Sequence, residues 1–487
     1  MIIGNLETMD SSNQMTPLPS EGSGNKRSFI ERYSASIKLV IIGFLTLLLL
    51  IPLGMIRGLI NERKITKSSV IQDITSKWSG EQILAGPCVA IPYSQERMVN
   101  DKREIVLRDI LLFPETLDIQ AKAAVEKRKR GIYDASVYKS EITLKGAFDM
   151  SEIEKAGIKE EDIQFDKARV IMGITDLRGV REVVSFQLAG ETFLMEPGIP
   201  VENLFTGPNP DMNIYIPDTE KSVAAPNVFS GIFAAGLNAR PDSSAMTAMR
   251  DGNAPFSVTL YLNGSTGLYI VPVGKVTTAA FQSDWSAPSF GGDFLPSNHE
   301  IGDEGFSANW KILDLNRSYG QVVRADDGST INLVASSLFG VKFIQSVDQY
   351  QQNLRSVKYG ILIILLTFVV VLFIELIKKN PVNPFHYLLV GLALVLFYAL
   401  LLSISEIWGF NPAYAVAALM TIFMITLHMG AILKNRKQGL LIGGLLAFLY
   451  VFVFLLIRME SYSLLVGSLG LFAILAVIMY YARKIRM

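Results

Sequence analysis

Six apolar runs, one near the start of the chain and five crowded into its last part, restrict this sequence more than any other feature. They cover residues 39–56, 360–374 (reaching 377 past Glu375), 387–403, 413–433, 440–457 and 464–480. About 20 residues rising about 1.5 Å each cross a hydrocarbon core roughly 30 Å thick, so each run predicts a transmembrane helix. Within the last five, charge nearly vanishes, which the helices of a soluble core rarely allow. Charged residues make up 18% of the 487, against about 25% in a soluble domain. The surplus apolar surface needs lipid to face, and the bilayer is the first implied partner.

Lys and Arg number 45, as do Asp and Glu. That balance argues against a nucleic-acid partner, which calls for a concentrated basic face. Cys88 is the single cysteine, so an intramolecular disulfide and a Cys-rich metal site are both excluded.

The basic residues of the short loops set the expected orientation. Lys26, Arg27, Arg32 and Lys38 precede the first run; Lys378 and Lys379 separate the second from the third. Lys434, Arg436 and Lys437 separate the fourth from the fifth, and Arg483, Lys484 and Arg486 follow the last. The alternate loops hold only Glu406 and the pair Arg458 and Glu460. Both termini are therefore expected in the cytoplasm. The first run starts nearly 40 residues in, is longer than the apolar region of a secretory signal and lacks a small-x-small cleavage site. It reads as an uncleaved anchor.

The expected organisation is a polar, disordered cytoplasmic tail over residues 1–36, a first membrane helix over 37–60, a periplasmic segment over 61–357 and a five-helix bundle over 358–487. The periplasmic segment begins as a helical stalk, with Ile60, Ile71, Ile74 and Trp78 near a 3.6-residue period and Gly80 available to end it. Beyond it, residues 105–113, 117–125, 132–148, 168–174, 183–188, 256–262 and 267–273 are rich in Val, Ile, Tyr, Phe and Thr and several alternate. They predict antiparallel sheets, arranged as two sandwich-like lobes with a seam near residues 207–218. Short helices are expected at 151–156, 227–235 and 347–355.

Enzyme motifs are scarce. His299, His386 and His428 are far apart in sequence, and HExxH, GxSxG and P-loop spacings are absent. No catalytic residue, metal ligand or cofactor is expected. Inside membrane runs, ionisable residues are functional candidates by default. Glu375 lies near the cytoplasmic end of its run, where anchoring and transport are both open. Glu406, Arg458 and Glu460 share the outer edge, where an ion pair between Glu406 and Arg458 is a structural option and a polar functional site the other. His428, near Thr421 and Thr426, reads as a packing residue or a proton relay. In the periplasmic segment, KRKRGIY at residues 127–133 reads as a turn that is either solvated or a contact for phosphate or carboxylate, through Arg128 and Arg130. Residues 283–321 hold Trp285, Phe290, Phe294, Phe306 and Trp310 among prolines and glycines. A long irregular loop is expected over 286–305, its aromatics either plugging the core or, at Phe290 and Phe294, meeting a partner.

Four blocks in one order carry a family resemblance: IPLGMIRGLINERKITKSSVIQDITSKWSGEQILAGPCVAIPY, PETLDIQAKAAVEKRKRGIYDASVYKSEITLKGAF, SDWSAPSFGGDFLP with GFSANWKILDLNRSYGQ, and YLLVGLALVLFYALLLSISEIWGF. From about residue 37 to the end, the chain resembles the inner-membrane protein CreD family, the cell envelope integrity proteins. His386 stands where that family usually has Gln, and Gly320 where it usually has Pro. The resemblance implies a bacterial inner-membrane protein tied to envelope integrity and, in some members, to stress regulation. It implies no catalytic residues. The function expected is a non-enzymatic envelope protein whose β-rich periplasmic domain binds or scaffolds an envelope component or another envelope protein. The alternative is a channel or transporter for a lipid or small solute through the C-terminal bundle, and a weaker one is a periplasmic hydrolase. The oligomeric state is not legible.

Overall fold

The computed structural model describes residues 34–99, 102–201, 204, 232–252, 254–343, 349–378, 381–459 and 462–482. It divides into two units, one of Met1–Ile60 with Gln351–Met487 and one of Asn61–Tyr350. Helix α1, Ser34–Trp78, contributes to both; its 45 residues include Pro52. A proline inside a membrane helix is tolerated where neighbouring groups satisfy the freed carbonyl.

In the first unit, Ile42, Leu45, Leu49 and Leu53 of α1 form a buried stripe at helical spacing, while Val40, Phe44, Leu47, Ile51 and Met55 are exposed. Exposed apolar faces of this size belong against lipid. Five helices are long and apolar enough to cross a membrane: Ile37–Trp78, Gln349–Ile377, Pro384–Trp408, Phe410–Ile432 and Arg436–Arg458. The second of these comprises α5 (Gln349–Lys358) and α6 (Gly360–Lys378); the next three are α7 (Pro384–Trp408), α8 (Phe410–Ile432) and α9 (Arg436–Arg458). The sixth expected span falls on α10 (Ser463–Ala482), whose apolar stretch Leu465–Ala476 is shorter. Among the described residues, five helices rather than six meet the length and hydropathy requirement.

Local chemistry sets the helix ends. The side chains of Asn383 and Asn435 accept the backbone N–H of Phe385 and Lys437, each at 3.0 Å, and cap α7 and α9. Gly409 ends α7 at φ 79°. Between α8 and α9 the backbones approach closely: a Cβ on Gly439 would stand 2.7 Å from Gly430 Cα, and one on Gly443 2.2 Å from Thr426 Oγ1. Small residues four apart let membrane helices pack in this way.

The second unit is built on two sheets. One has nine strands: β1 (Gln82–Val99), β2 (Lys102–Leu112), β5 (Arg169–Ile174), β8 (Glu196–Pro197), β9 (Gly236–Ala239), β11 (Gly267–Val271), β13 (Pro288–Gly292), β16 (Val322–Arg324) and β17 (Phe339–Phe343). The other has eight: β3 (Thr116–Arg130), β4 (Tyr133–Phe148), β6 (Ser185–Leu188), β7 (Glu191–Leu194), β10 (Ala254–Ser265), β12 (Val276–Ser283), β14 (Asn298–Gly302) and β15 (Gly305–Leu313). The order β13-β17-β11-β1-β5-β9-β8 describes the first, with β2 beside β1 and β16 beside β2; β14-β15-β12-β3-β4-β10-β6-β7 describes the second. Side chains alternate in and out along β3 and β15, and both sheets contribute to one hydrophobic cluster. Short helices α2 (Ser151–Lys155), α3 (Ser243–Arg250) and α4 (Gly328–Ser336) complete the unit.

Several expectations change here. The two sheets share one core instead of forming separate lobes. Their pairing is mixed, since β1 runs parallel to β11 and β3 parallel to β12. The seam near 207–218 lies outside the described residues, as does most of the helix expected at 227–235; residues 232–235 are turns and bends. Strand β1 had no sequence signal because Pro87 and Pro92 break its pattern, and the register to β5 slips between Ala85 and Cys88 to accommodate the first. The irregular loop expected over 286–305 holds two short strands, β13 and β14, and stays irregular between them over residues 293–297. Glycine composition hid β13: Gly291 pairs with Gly340, and a Cβ on Gly292, at φ 96°, would meet Leu338 O at 2.0 Å.

Candidate functional site

A dense polar cluster of the β unit lies where α1 ends. The last carbonyls of a helix lack intrahelical partners, and side chains of the β unit supply them. Arg178 Nη1 donates to Ser76 O at 2.7 Å, and Ser265 Oγ donates to Ser79 O at 2.8 Å. Buried Gln82 donates to Ser79 Oγ at 2.8 Å, Asp176 O at 2.9 Å and Asn263 O at 3.1 Å. Asp176 accepts the Gly80 N–H at 3.0 Å and both forks of Arg178 at 2.9 and 2.7 Å. Burial pushes the Asp176 carboxyl up, but these bonds outweigh it and hold it at about 2. Gly179 cannot be larger, since its Cβ would meet Asn263 O at 2.3 Å.

Two of the basic residues at 127–130, Arg128 and Arg130, form a second contact with the stalk. They lie within β3 and not in a turn, because β3 and β4 continue as a two-stranded ribbon after β12 stops at Ser283↔Ala123 and β10 at Ser265↔Val137. Arg128 stacks on Trp78 at 3.8 Å from the ring centroid, Arg130 pairs with Asp73, and Lys127 lies 5.2 Å over Trp285. Both arginines expected to be anion contacts thus hold partners on α1.

Phe290 and Phe294 are half-buried against the core. Phe290 has ring neighbours His299 at 5.4 Å, Phe306 at 5.6 Å and Trp310 at 5.8 Å, and Phe294 O accepts from Trp310 Nε1 at 3.1 Å. Near the start of β1, burial pushes the Glu81 carboxyl up and Lys342 opposes it.

In the membrane unit, Glu375 of α6 is buried at 2% exposure. It pairs with Lys38 of α1, and its Oε2 accepts Tyr387 OH of α7 at 2.9 Å. One carboxylate therefore joins three helices. Deeper in the bundle, Tyr398, Tyr414 and Tyr450 are buried around Phe397, and Tyr414 OH donates to Tyr450 O at 2.8 Å. Asn353 Nδ2 donates to Ser405 Oγ at 2.9 Å. Glu406 is half-buried on the last turn of α7, and exposed Arg458 ends α9 with its guanidinium 5.8 Å from the Phe454 ring. Glu460 lies outside the described residues.

The profile of the family described as "Inner membrane protein CreD" matches residues 34–487, which include every described element. The chain belongs to the CreD family. It is similar to the inner membrane protein CreD of Escherichia coli (strain K12), 32% identical over 443 residues that cover 90% of each chain. CreD membership and the apolar helices make this a multi-pass inner-membrane protein in contact with lipid. Of the polar groups in the bundle, Glu375 was visible in the sequence, but its partners Lys38 and Tyr387 were not, since they come from helices far apart in the chain. The stalk cluster was missed altogether: Gln82, Asp176 and Ser265 are ordinary polar residues until strand order gathers them.

Proposed function

We propose that this protein supports envelope integrity or the response to envelope stress from the bacterial inner membrane, with its β unit in the periplasm as a non-enzymatic binding or scaffold domain. In this reading α10 also crosses the membrane, both termini are cytoplasmic, and the partner is an envelope component or another envelope protein. The Lys and Arg asymmetry of the short loops supports the orientation. The observation that carries the reading is the anchoring of the β unit on α1. Arg178 and Ser265 take its terminal carbonyls, and the basic ribbon grips its last turns at Trp78 and Asp73. A load on the β unit is thereby passed to a helix whose first half is a membrane span. In cells lacking the protein, full-length chain should restore tolerance to detergent stress, and a chain carrying Asp176→Ala with Arg128→Ala should restore less at equal abundance. Equal restoration by a chain reduced to its membrane unit would refute a role for the β unit. A reporter active only outside the cytoplasm should work at residue 200 and fail at residue 487; the opposite pattern would refute the orientation.

A second reading, passage of a lipid or small solute through the bundle, draws on buried Glu375 and Tyr387 in the membrane unit. Solute flux in vesicles carrying the full protein, abolished by Glu375→Gln, would favour it.

A further inference from the structure

The fold brings together two histidines that are 42 positions apart in the sequence. His386 is in the first turn of α7 and His428 near the end of α8, and their ring centroids are 5.5 Å apart at 63°. One nitrogen on each ring, Nδ1 of His386 and Nε2 of His428, is shielded from solvent and has no hydrogen-bond partner among the described residues. A shielded ring nitrogen without a partner loses its hydration with nothing in exchange. An edge-to-face packing contact explains the centroid distance but leaves both nitrogens unsatisfied.

We propose that His386 and His428 form a two-imidazole site for a divalent transition-metal ion of the zinc class. Imidazole nitrogen suits zinc, copper and nickel. With zinc–nitrogen bonds of about 2.0–2.1 Å and a ring nitrogen roughly 1.2 Å from its centroid, a tetrahedral angle sets two ligating rings about 5.2 Å apart. The observed separation of 5.5 Å is close to that spacing. Tyr387, next to His386, is held by Glu375, and Asn383 caps the turn that carries His386, so that ring stands on a fixed backbone. Water fills the remaining positions of the metal. Lys434, Arg436 and Lys437 follow α8 but are exposed, so salt screens their repulsion.

The test is calorimetric titration of Zn²⁺ into full-length protein in nanodiscs, purified without a polyhistidine tag. Saturable binding of one ion per chain is expected. His386→Gln and His428→Gln should each weaken it at least tenfold, and His299→Gln, in the β unit, should not change it. Absence of saturable binding, equal binding by the double variant, or an effect of only one of the two substitutions overturns the proposal. In the wild-type chain, which avoids any question of folding in the variants, Zn²⁺ should protect His386 and His428 but not His299 from diethyl pyrocarbonate. Equal modification with and without Zn²⁺ also overturns it.

Discussion

Removing Lys38 should harm the helix bundle more than removing the charge of Glu375, and removing both should harm it less than removing Lys38 alone. The side chain of Glu375 is 3% exposed, whereas that of Lys38 is 30% exposed. Lys38→Met strands a buried carboxylate whose remaining hydrogen-bond partner among the described residues is Tyr387. Breaking a buried pair in this sense costs about 3–5 kcal/mol. Glu375→Gln leaves a neutral group that still accepts from Tyr387, and the partly exposed ammonium can reach the interface along its own stem; the cost should be about 1–2 kcal/mol. In Lys38→Met with Glu375→Gln no charge is stranded, so most of the Lys38→Met loss should return. The predicted coupling of at least about 2 kcal/mol corresponds to more than tenfold in the unfolding equilibrium. SDS-driven unfolding of full-length protein in mixed micelles measures it, with Trp408 as the reporter after the other three tryptophans are replaced by Phe. Equal losses in the two single variants, or additive losses in the double variant, would refute the reasoning.

Arg128→Ala should cost about 0.5–1 kcal/mol, as expected for an exposed cation–π contact, and calorimetric melting should show that this loss largely disappears when Arg128→Ala is made in a Trp78→Ala background. Asp176 and Glu81 should respond to pH in opposite directions. Asp176 is held below its ordinary value, so its stabilisation is present above about pH 4 and is lost as pH falls toward about 2; Asp176→Asn should flatten melting temperature over that interval. Glu81 is raised, so its burial is best tolerated when it is protonated, and stability falls as pH rises through its folded value. Glu81→Gln should therefore raise the melting temperature at pH 7 more than at pH 4. Gly439→Val should separate α8 from α9, because its branches have no room beside Gly430 and Thr426; weakened disulfide cross-linking between cysteines placed on those two helices would report it.

Legibility differed sharply between the units. The apolar runs at 387–403, 413–433 and 440–457 marked α7, α8 and α9 because a membrane helix satisfies its backbone internally and needs no distant partner. Val- and Tyr-rich alternation likewise marked β3, β4 and β10. The pattern failed at β1, where Pro87 and Pro92 interrupt it, and at β13, where glycines imitate a loop. In both places backbone pairing with a distant strand, and not local preference, decides the conformation.

The sequence alone determined that this chain lives in a bilayer, that a long stalk continues its first membrane helix and that a large β-rich unit follows, because hydropathy and side-chain periodicity are local properties. Even the family was readable in four blocks. Only the tertiary structure decided that the two sheets share one core, that Arg128 and Arg130 grip the stalk, that Glu375 joins Lys38 and Tyr387, and that His386 meets His428. Each of those outcomes depends on which distant segments lie side by side, and the worth of a charge or an imidazole is set by the partner and the solvent it finds there.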